Sequence, residues 1–156
     1  MRFASGLILA AAAAGVLPLH AQREKLSWDD REYVEKTWPE AVKTSTGLRY
    51  VILRQGTGSE TPKPGDVVLV IYTGRLLSGK VFGQELNKEE PFRIRLGRGS
   101  LIPAWEETLQ RMKRGEKRLI IVPPELGYGT RGDPERGVPR SAALVFEIEI
   151  VDFRSD

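Results

Sequence analysis

The chain of 156 residues carries 24 Lys and Arg against 21 Asp and Glu, a formal net charge of +3, with one histidine and no cysteine. His20 precedes everything that reads as a folded domain, so Ser-His and Cys-His nucleophilic sites, His or Cys metal sites and a disulfide framework are all excluded from that domain. Basic and acidic residues are well mixed along the chain, so nothing in the charge pattern demands a nucleic acid or an anionic surface as partner.

At the start, Met1 and Arg2 supply a short positive segment, and residues 7–17 form an alanine-rich apolar run that Pro18 breaks ahead of Leu19, His20 and Ala21. The run is too short to span a bilayer and no stop-transfer pattern follows it. The spacing predicts a signal peptide over residues 1–21, cleaved near Ala21, and an exported mature protein, periplasmic or secreted, with no stable membrane anchor; a retained anchor is the alternative. The absence of cysteine excludes a lipoprotein anchor. The remaining chain is long enough to bury an adequate core without crosslinks.

Residues 27–42 read as a short helix, opened by Ser27 with Asp30 three positions on in a capping-box arrangement, with Trp28, Tyr33 and Val34 as its apolar side and Pro39 interrupting or ending it. Residues 22–46 therefore form an arm and linker, short for a dimerisation stalk, and residues 47–154 the domain, expected to be monomeric. Strands are predicted at 48–53, at 67–77 after the Pro64-Gly65-Asp66 turn, and at 80–82 across a tight hairpin at Ser78 and Gly79. Phe92, Ile94 and Leu96 alternate with Arg93 and Arg95, giving a strand that Gly97 and Gly99 break. Pro103 opens a helix over 103–112 whose apolar stripe is Trp105, Leu109 and Met112. A strand at 117–122, a long loop at 123–139 and a strand at 144–150 complete the chain. The class is α+β: a mainly antiparallel sheet with one face covered by a single short central helix.

Gly74 to Val81, GRLLSGKV, has the spacing of a phosphate-binding loop up to its lysine, but Val81 stands where a Mg²⁺-binding Ser or Thr belongs and a strand follows in place of a helix. Glu106 and Glu107 point apart as adjacent helical residues and read as a solvated face near the helix start, not a carboxylate pair. Trp105, in the first turn of a short helix behind a glycine-rich corner, serves either as core or as the floor of a pocket. What remains is a set of aromatics without a titrating catalyst: Tyr72, Phe82, Phe92, Trp105, Tyr128 and Phe146.

VIYTGRLLSGKVF, PFRIRLG, LIPAWEE, PPELGYG and ALVFEIEI, in this order and spacing, resemble the FKBP-type (tacrolimus-binding) peptidyl-prolyl cis-trans isomerases over residues 48–153, and TGLRY with the following GTG resembles the exported bacterial members. The resemblance implies a curved sheet wrapped on the helix, with a proline pocket between them. Its walls would be Tyr72, Phe82, Phe92, Leu101, Ile102, Val138 and Phe146, and its floor Trp105. The Ile102 N–H and the Tyr128 hydroxyl would hold the ligand by hydrogen bonds. It also implies proline-containing polypeptides as partners, no cofactor and no metal. Where the family usually has Phe-Asp at the hairpin's end, this chain has Phe82-Gly83; its loop at 129–142 is about one residue longer, and Leu126 stands where some relatives have tyrosine. The missing carboxylate at Gly83 leads us to expect weak binding of macrolide inhibitors. A peptide-binding module or chaperone with little turnover is the alternative reading of the same fold.

Overall fold

The computed structural model describes residues 24–155, so the signal peptide expected over 1–21 lies outside the described residues. In chain order the elements are α1 (Trp28–Thr37), β1 (Val42–Lys43), β2 (Arg49–Arg54), β3 (Val67–Leu76), β4 (Val81–Glu85), β5 (Phe92–Arg95), α2 (Pro103–Leu109), β6 (Lys117–Val122) and β7 (Leu144–Arg154). The sheet runs β1-β2-β6-β7-β3-β4, with β5 pairing the first half of β3 beside β4, and every pairing is antiparallel. The last strand thus lies at the centre of the sheet, along the whole of β3 on one side and of β6 on the other. This is the expected α+β class, a curved antiparallel sheet with the short helix α2 against it.

Strand alternation sends successive side chains to opposite faces, and both faces are used. Leu144, Phe146, Ile148 and Ile150 of β7, with Ile120 and Val122 of β6, enter the main core with Trp105, Leu109 and Met112. The intervening Leu119, Ile121 and Val145 form a second cluster with Val34 and Leu26. The helical arm therefore packs on the sheet: Val34 is fully buried, a contribution of roughly 1.5–3 kcal/mol for a side chain of that kind. Trp28 and Tyr33, expected to share that role, are largely exposed.

β4, expected at 80–82, runs on to Glu85 because it stays paired with β3 as far as Tyr72; three other boundaries also differ from expectation, each for a local reason. α1 stops at Thr37, because Trp38 precedes Pro39 and is held out of helical conformation at φ −129°, ψ 67°; Val42 and Lys43 then pair with Tyr50 and Arg49 as an edge strand. α2 closes at Leu109 and tightens, with the Arg111 and Met112 N–H groups donating to the Thr108 and Leu109 carbonyls, yet Met112 stays fully buried. β7 runs on to Arg154 across a register shift where Val70 pairs Ile150 and Leu69 pairs Asp152. That irregularity inverts the alternation, so the odd-numbered Phe153 returns to the core. Glu106 and Glu107 are not simply solvated: Glu106 accepts from the Gly97 N–H at 2.9 Å and Glu107 from the Thr46 hydroxyl at 2.6 Å.

Glu24 ties the arm to the sheet edge. Its carboxylate accepts from Arg49 Nη2 at 2.9 Å, Lys43 Nζ at 3.0 Å and the Leu26 N–H at 3.0 Å. Burial pushes its pKa up, but these donors outweigh it and bring the carboxyl down from 4.5 to about 2. A lowered carboxylate stabilises the fold above its unfolded pKa, and that stability is lost as pH falls from about 4.5 towards 2. Allowing for partial exposure, Glu24→Gln is expected to cost about 1–2 kcal/mol in urea unfolding at pH 7. The difference from wild type should shrink progressively below pH 4.5; an equal difference at pH 7 and pH 3 would refute the clamp.

Candidate functional site

A cavity of about 160 Å³ opens between α2 and the β3–β4–β7 part of the sheet. It is lined by Tyr72 on β3, Phe82 and Gly83 on β4, Phe92 on β5, Ser100, Leu101 and Ile102 at the entry to α2, Trp105 on α2, Tyr128 and Arg136 in the long loop, and Phe146 on β7. Trp105 is buried at its base, in contact with Tyr72 at 5.0 Å between ring centroids and with Phe146 at 5.4 Å, both edge to face. Phe82 meets Phe146 at 5.5 Å and Tyr128 at 6.3 Å in the same manner, and Phe92 leans on Tyr72 at 5.7 Å. Edge-to-face pairs place the positive rim of one ring against the negative face of the next, at about 0.5–1.5 kcal/mol each beyond area burial. The walls are therefore rigid as well as apolar.

Gly74 makes that arrangement feasible. It pairs with Phe146 on one side and Gly83 on the other, and a Cβ there would lie 2.7 Å from Phe146 Cε1 and 2.9 Å from Phe82 Cζ. Gly83 is different: a Cβ would make only ordinary contacts, 3.5 Å from the Tyr72 hydroxyl, and its backbone is outside the left-handed region.

Few polar groups meet the cavity. Tyr128 Oη accepts from Arg136 Nη1 at 2.9 Å, which leaves its own O–H to donate. Ile102 is the residue before α2, extended at φ −62°, ψ 147°, and its carbonyl closes the first turn by accepting from the Trp105 and Glu106 N–H groups. Its own N–H makes no hydrogen bond among the described residues. Trp105 Nε1 is buried without an acceptor among the described residues. Burial pushes the Tyr72 phenol up from its usual range, so it stays protonated at neutral pH. Among the described residues no group of His, Cys, Asp and Glu is placed to hold a metal, and no carboxylate lines the cavity.

A family profile described as FKBP-type peptidyl-prolyl cis-trans isomerase matches residues 58–151. The chain belongs to this family. It is 43% identical over 126 residues to the FKBP-type peptidyl-prolyl cis-trans isomerase FkpA of Escherichia coli, covering 80% of this chain and 45% of that one. It is 40% identical over 105 residues to FK506-binding protein 1A of Aspergillus fumigatus, covering 67% of this chain and 93% of the relative. The crystal structure of a peptidyl-prolyl cis-trans isomerase from Pseudomonas syringae superposes with a TM-score of 0.70 at 32% identity, over 81% of this chain and 92% of that one. The chain spans less than half the length of FkpA.

Of the ten residues expected at an FKBP-type pocket, nine line the cavity: Tyr72, Phe82, Gly83, Phe92, Leu101, Ile102, Trp105, Tyr128 and Phe146. Val138 does not. It is 3% exposed and belongs to the buried core cluster that includes Trp105 and Phe146. The sequence reading missed Ser100, Arg136 and the supporting Gly74. For Gly74 a signal was available, a glycine inside an apolar strand, which marks a close approach of another group. Gly74→Ala should destabilise the domain by about 1–3 kcal/mol through overpacking against Phe146 and Phe82, whereas Gly83→Ala should change stability by less than about 0.5 kcal/mol. Urea unfolding of the two variants checks the contrast; equal costs would mean that the close approach at Gly74 is not what holds these rings.

Proposed function

We propose that this protein is a peptidyl-prolyl cis-trans isomerase that acts on proline-containing segments of exported proteins. The observation that carries the reading is the rigid aromatic cavity floored by Trp105, with the Tyr128 hydroxyl and the Ile102 N–H as donors. Rotation about an Xaa–Pro bond meets a barrier of about 18–20 kcal/mol because amide resonance must be lost. As the amide twists, its carbonyl becomes less polarised, so a dry apolar cavity favours the twisted form over the planar one. The prolyl ring enters over Trp105, between Tyr72, Phe82 and Phe146, and the two donors orient the neighbouring carbonyls. A thousandfold acceleration needs only about 4 kcal/mol of such preference. No proton transfer, metal or cofactor enters these steps.

The export reading is supported by the positive start, short apolar run and Ala21 boundary at the N-terminus. Its expected outcome is a mature protein beginning at or within two residues of Gln22. The intact mass of the protein recovered from outside the cytoplasm measures this, and retention of residues 1–21 would refute it.

A second reading, a low-turnover peptide-binding module, is favoured by one feature: Gly83 gives the rim no carboxylate to hold a ligand. The same feature makes us expect weaker binding of macrolide ligands than a carboxylate at that position would give. A protease-free isomerisation assay on short prolyl peptides separates the readings. Wild type should accelerate exchange, Trp105→Leu and Phe146→Ala should each lose about tenfold to a hundredfold in kcat/KM, which is roughly 1.4–2.8 kcal/mol, and the rate should be flat from pH 6 to 8. That flatness follows from a cavity lined by no histidine, cysteine or carboxylate, with the Tyr72 phenol raised. Peptide binding without acceleration would select the second reading, and a bell-shaped profile in folded protein would reveal a titrating group in the reaction.

A further inference from the structure

The cavity wall carries a single charged side chain, Arg136. It is the last residue of a tight turn over Pro134–Arg136, where the Asp133 side chain caps the turn by accepting from the Arg136 N–H. The turn is pinned at both ends. Asp133 and Val138 exchange backbone hydrogen bonds at 2.9 and 2.8 Å, and Gly132, at φ +67°, leaves no room for a Cβ, which would lie 2.5 Å from the Val138 carbonyl. The guanidinium is thus delivered from a folded loop. Nη1 donates to the Tyr128 hydroxyl at 2.9 Å, while Nε lies 3.6 Å from Asp133 Oδ2, too far for a hydrogen bond. Nη2 makes no hydrogen bond among the described residues, and the side chain is 60% exposed, within reach of a bound chain.

The other lining residues are neutral: aromatics, aliphatics, Ser100 and Gly83. A cation paired with Asp133 only on its Nε side, with its Nη2 edge turned to an apolar, partly dry recess, discriminates by charge. A carboxylate next to the entering prolyl ring accepts from the unused Nη2 edge in a charge-assisted bond, whereas an ammonium there meets repulsion that Asp133, paired to Nε and off the cavity wall, offsets only in part. We propose that Arg136 is a specificity-determining residue that makes the cavity prefer proline flanked by an acidic residue over proline flanked by a basic one. This inference rests on the isomerase reading for its use in turnover, but charge selection at the same cavity also governs simple binding.

The test is a set of short peptides with Glu, Gln or Lys immediately before proline, and the same three immediately after it, assayed with the full protein. At low salt, kcat/KM for the best Glu peptide should exceed that for its Lys counterpart by about threefold to tenfold, the range of one partly exposed charge contact. The ratio should fall towards one in 1 M salt. Arg136→Gln, which retains an amide donor for Tyr128, should abolish the ratio, and Arg136→Glu should invert it. Gly83→Asp places a carboxylate on the same wall without steric conflict and should lower the ratio as well, while Arg136→Lys, which keeps the charge, should keep it above one where Arg136→Gln folds poorly. A Glu:Lys ratio of one in the wild type, or a ratio unchanged in folded Arg136→Gln, overturns the proposal. Absence of acceleration on every peptide strikes the isomerase reading instead; the same peptides titrated by tryptophan fluorescence then give the ratio as Kd values, with the same outcomes deciding.

Discussion

The cavity depends on Phe146 lying opposite a residue with no side chain. In the β3–β7 ladder its partner is Gly74, and the ring occupies the space that any Cβ at that position would claim. From there it touches Trp105 on the helix and Phe82 on β4, so one ring joins three elements that no single strand pairing connects. Tyr72, two residues before Gly74 on the same face, completes the contact with Trp105. Because Trp105 packs edge to face on Tyr72 and Phe146, Phe82 on Phe146 and Tyr128, and Phe92 leans on Tyr72, moving one ring would move the others. A preformed recess does not need ligand binding energy to assemble it.

Much of this was legible in the sequence. β5 announced itself by alternation and the other long strands by apolar runs between turn signals, and β6 and the starts of β5 and α2 fall where the sequence put them. The family resemblance supplied what periodicity could not, namely that Tyr72, Phe82, Trp105 and Phe146 share one recess although they are far apart in the chain. What escaped did so for physical reasons. β1 is two residues long and follows a proline, too short for any period to register. The second covered face was hidden because Leu119, Ile121 and Val145 belong to runs that are apolar on both sides, which read as ordinary strand core. Val138, expected on the wall, and Arg136, not singled out, lie in one loop of irregular backbone where no period shows side-chain direction: the apolar residue is in the core and the charged one lines the cavity.

The charge on that wall also alters how Tyr128 works. A neutral phenol facing an apolar recess would share its proton between several orientations, but a guanidinium donating to its oxygen at 2.9 Å fixes the oxygen as acceptor and directs the hydroxyl proton elsewhere. Arg136 is thereby both the charged side chain of the cavity wall and a constraint on the Tyr128 hydroxyl. With Tyr72, Ser100, Tyr128 and Arg136 on the wall and no lining carboxylate, the cavity is electrostatically unlike a purely aromatic cup.

The position of β7 has a further consequence, in the order in which the domain is made. A chain is synthesised from its N-terminus, and β7 is the last strand of the nine elements yet sits between β6 and β3. Until it emerges, β3 with β4 and β5 forms one fragment and β1 with β2 and β6 another, each with an open edge where β7 will insert. Neither fragment has Phe146, so neither has the recess. Folding must wait for contacts of long sequence separation, the slow class of β topology, and the two open edges are the exposed templates that invite mispairing in the interval. A protein of this design is itself a demanding folding client until its final strand is in place.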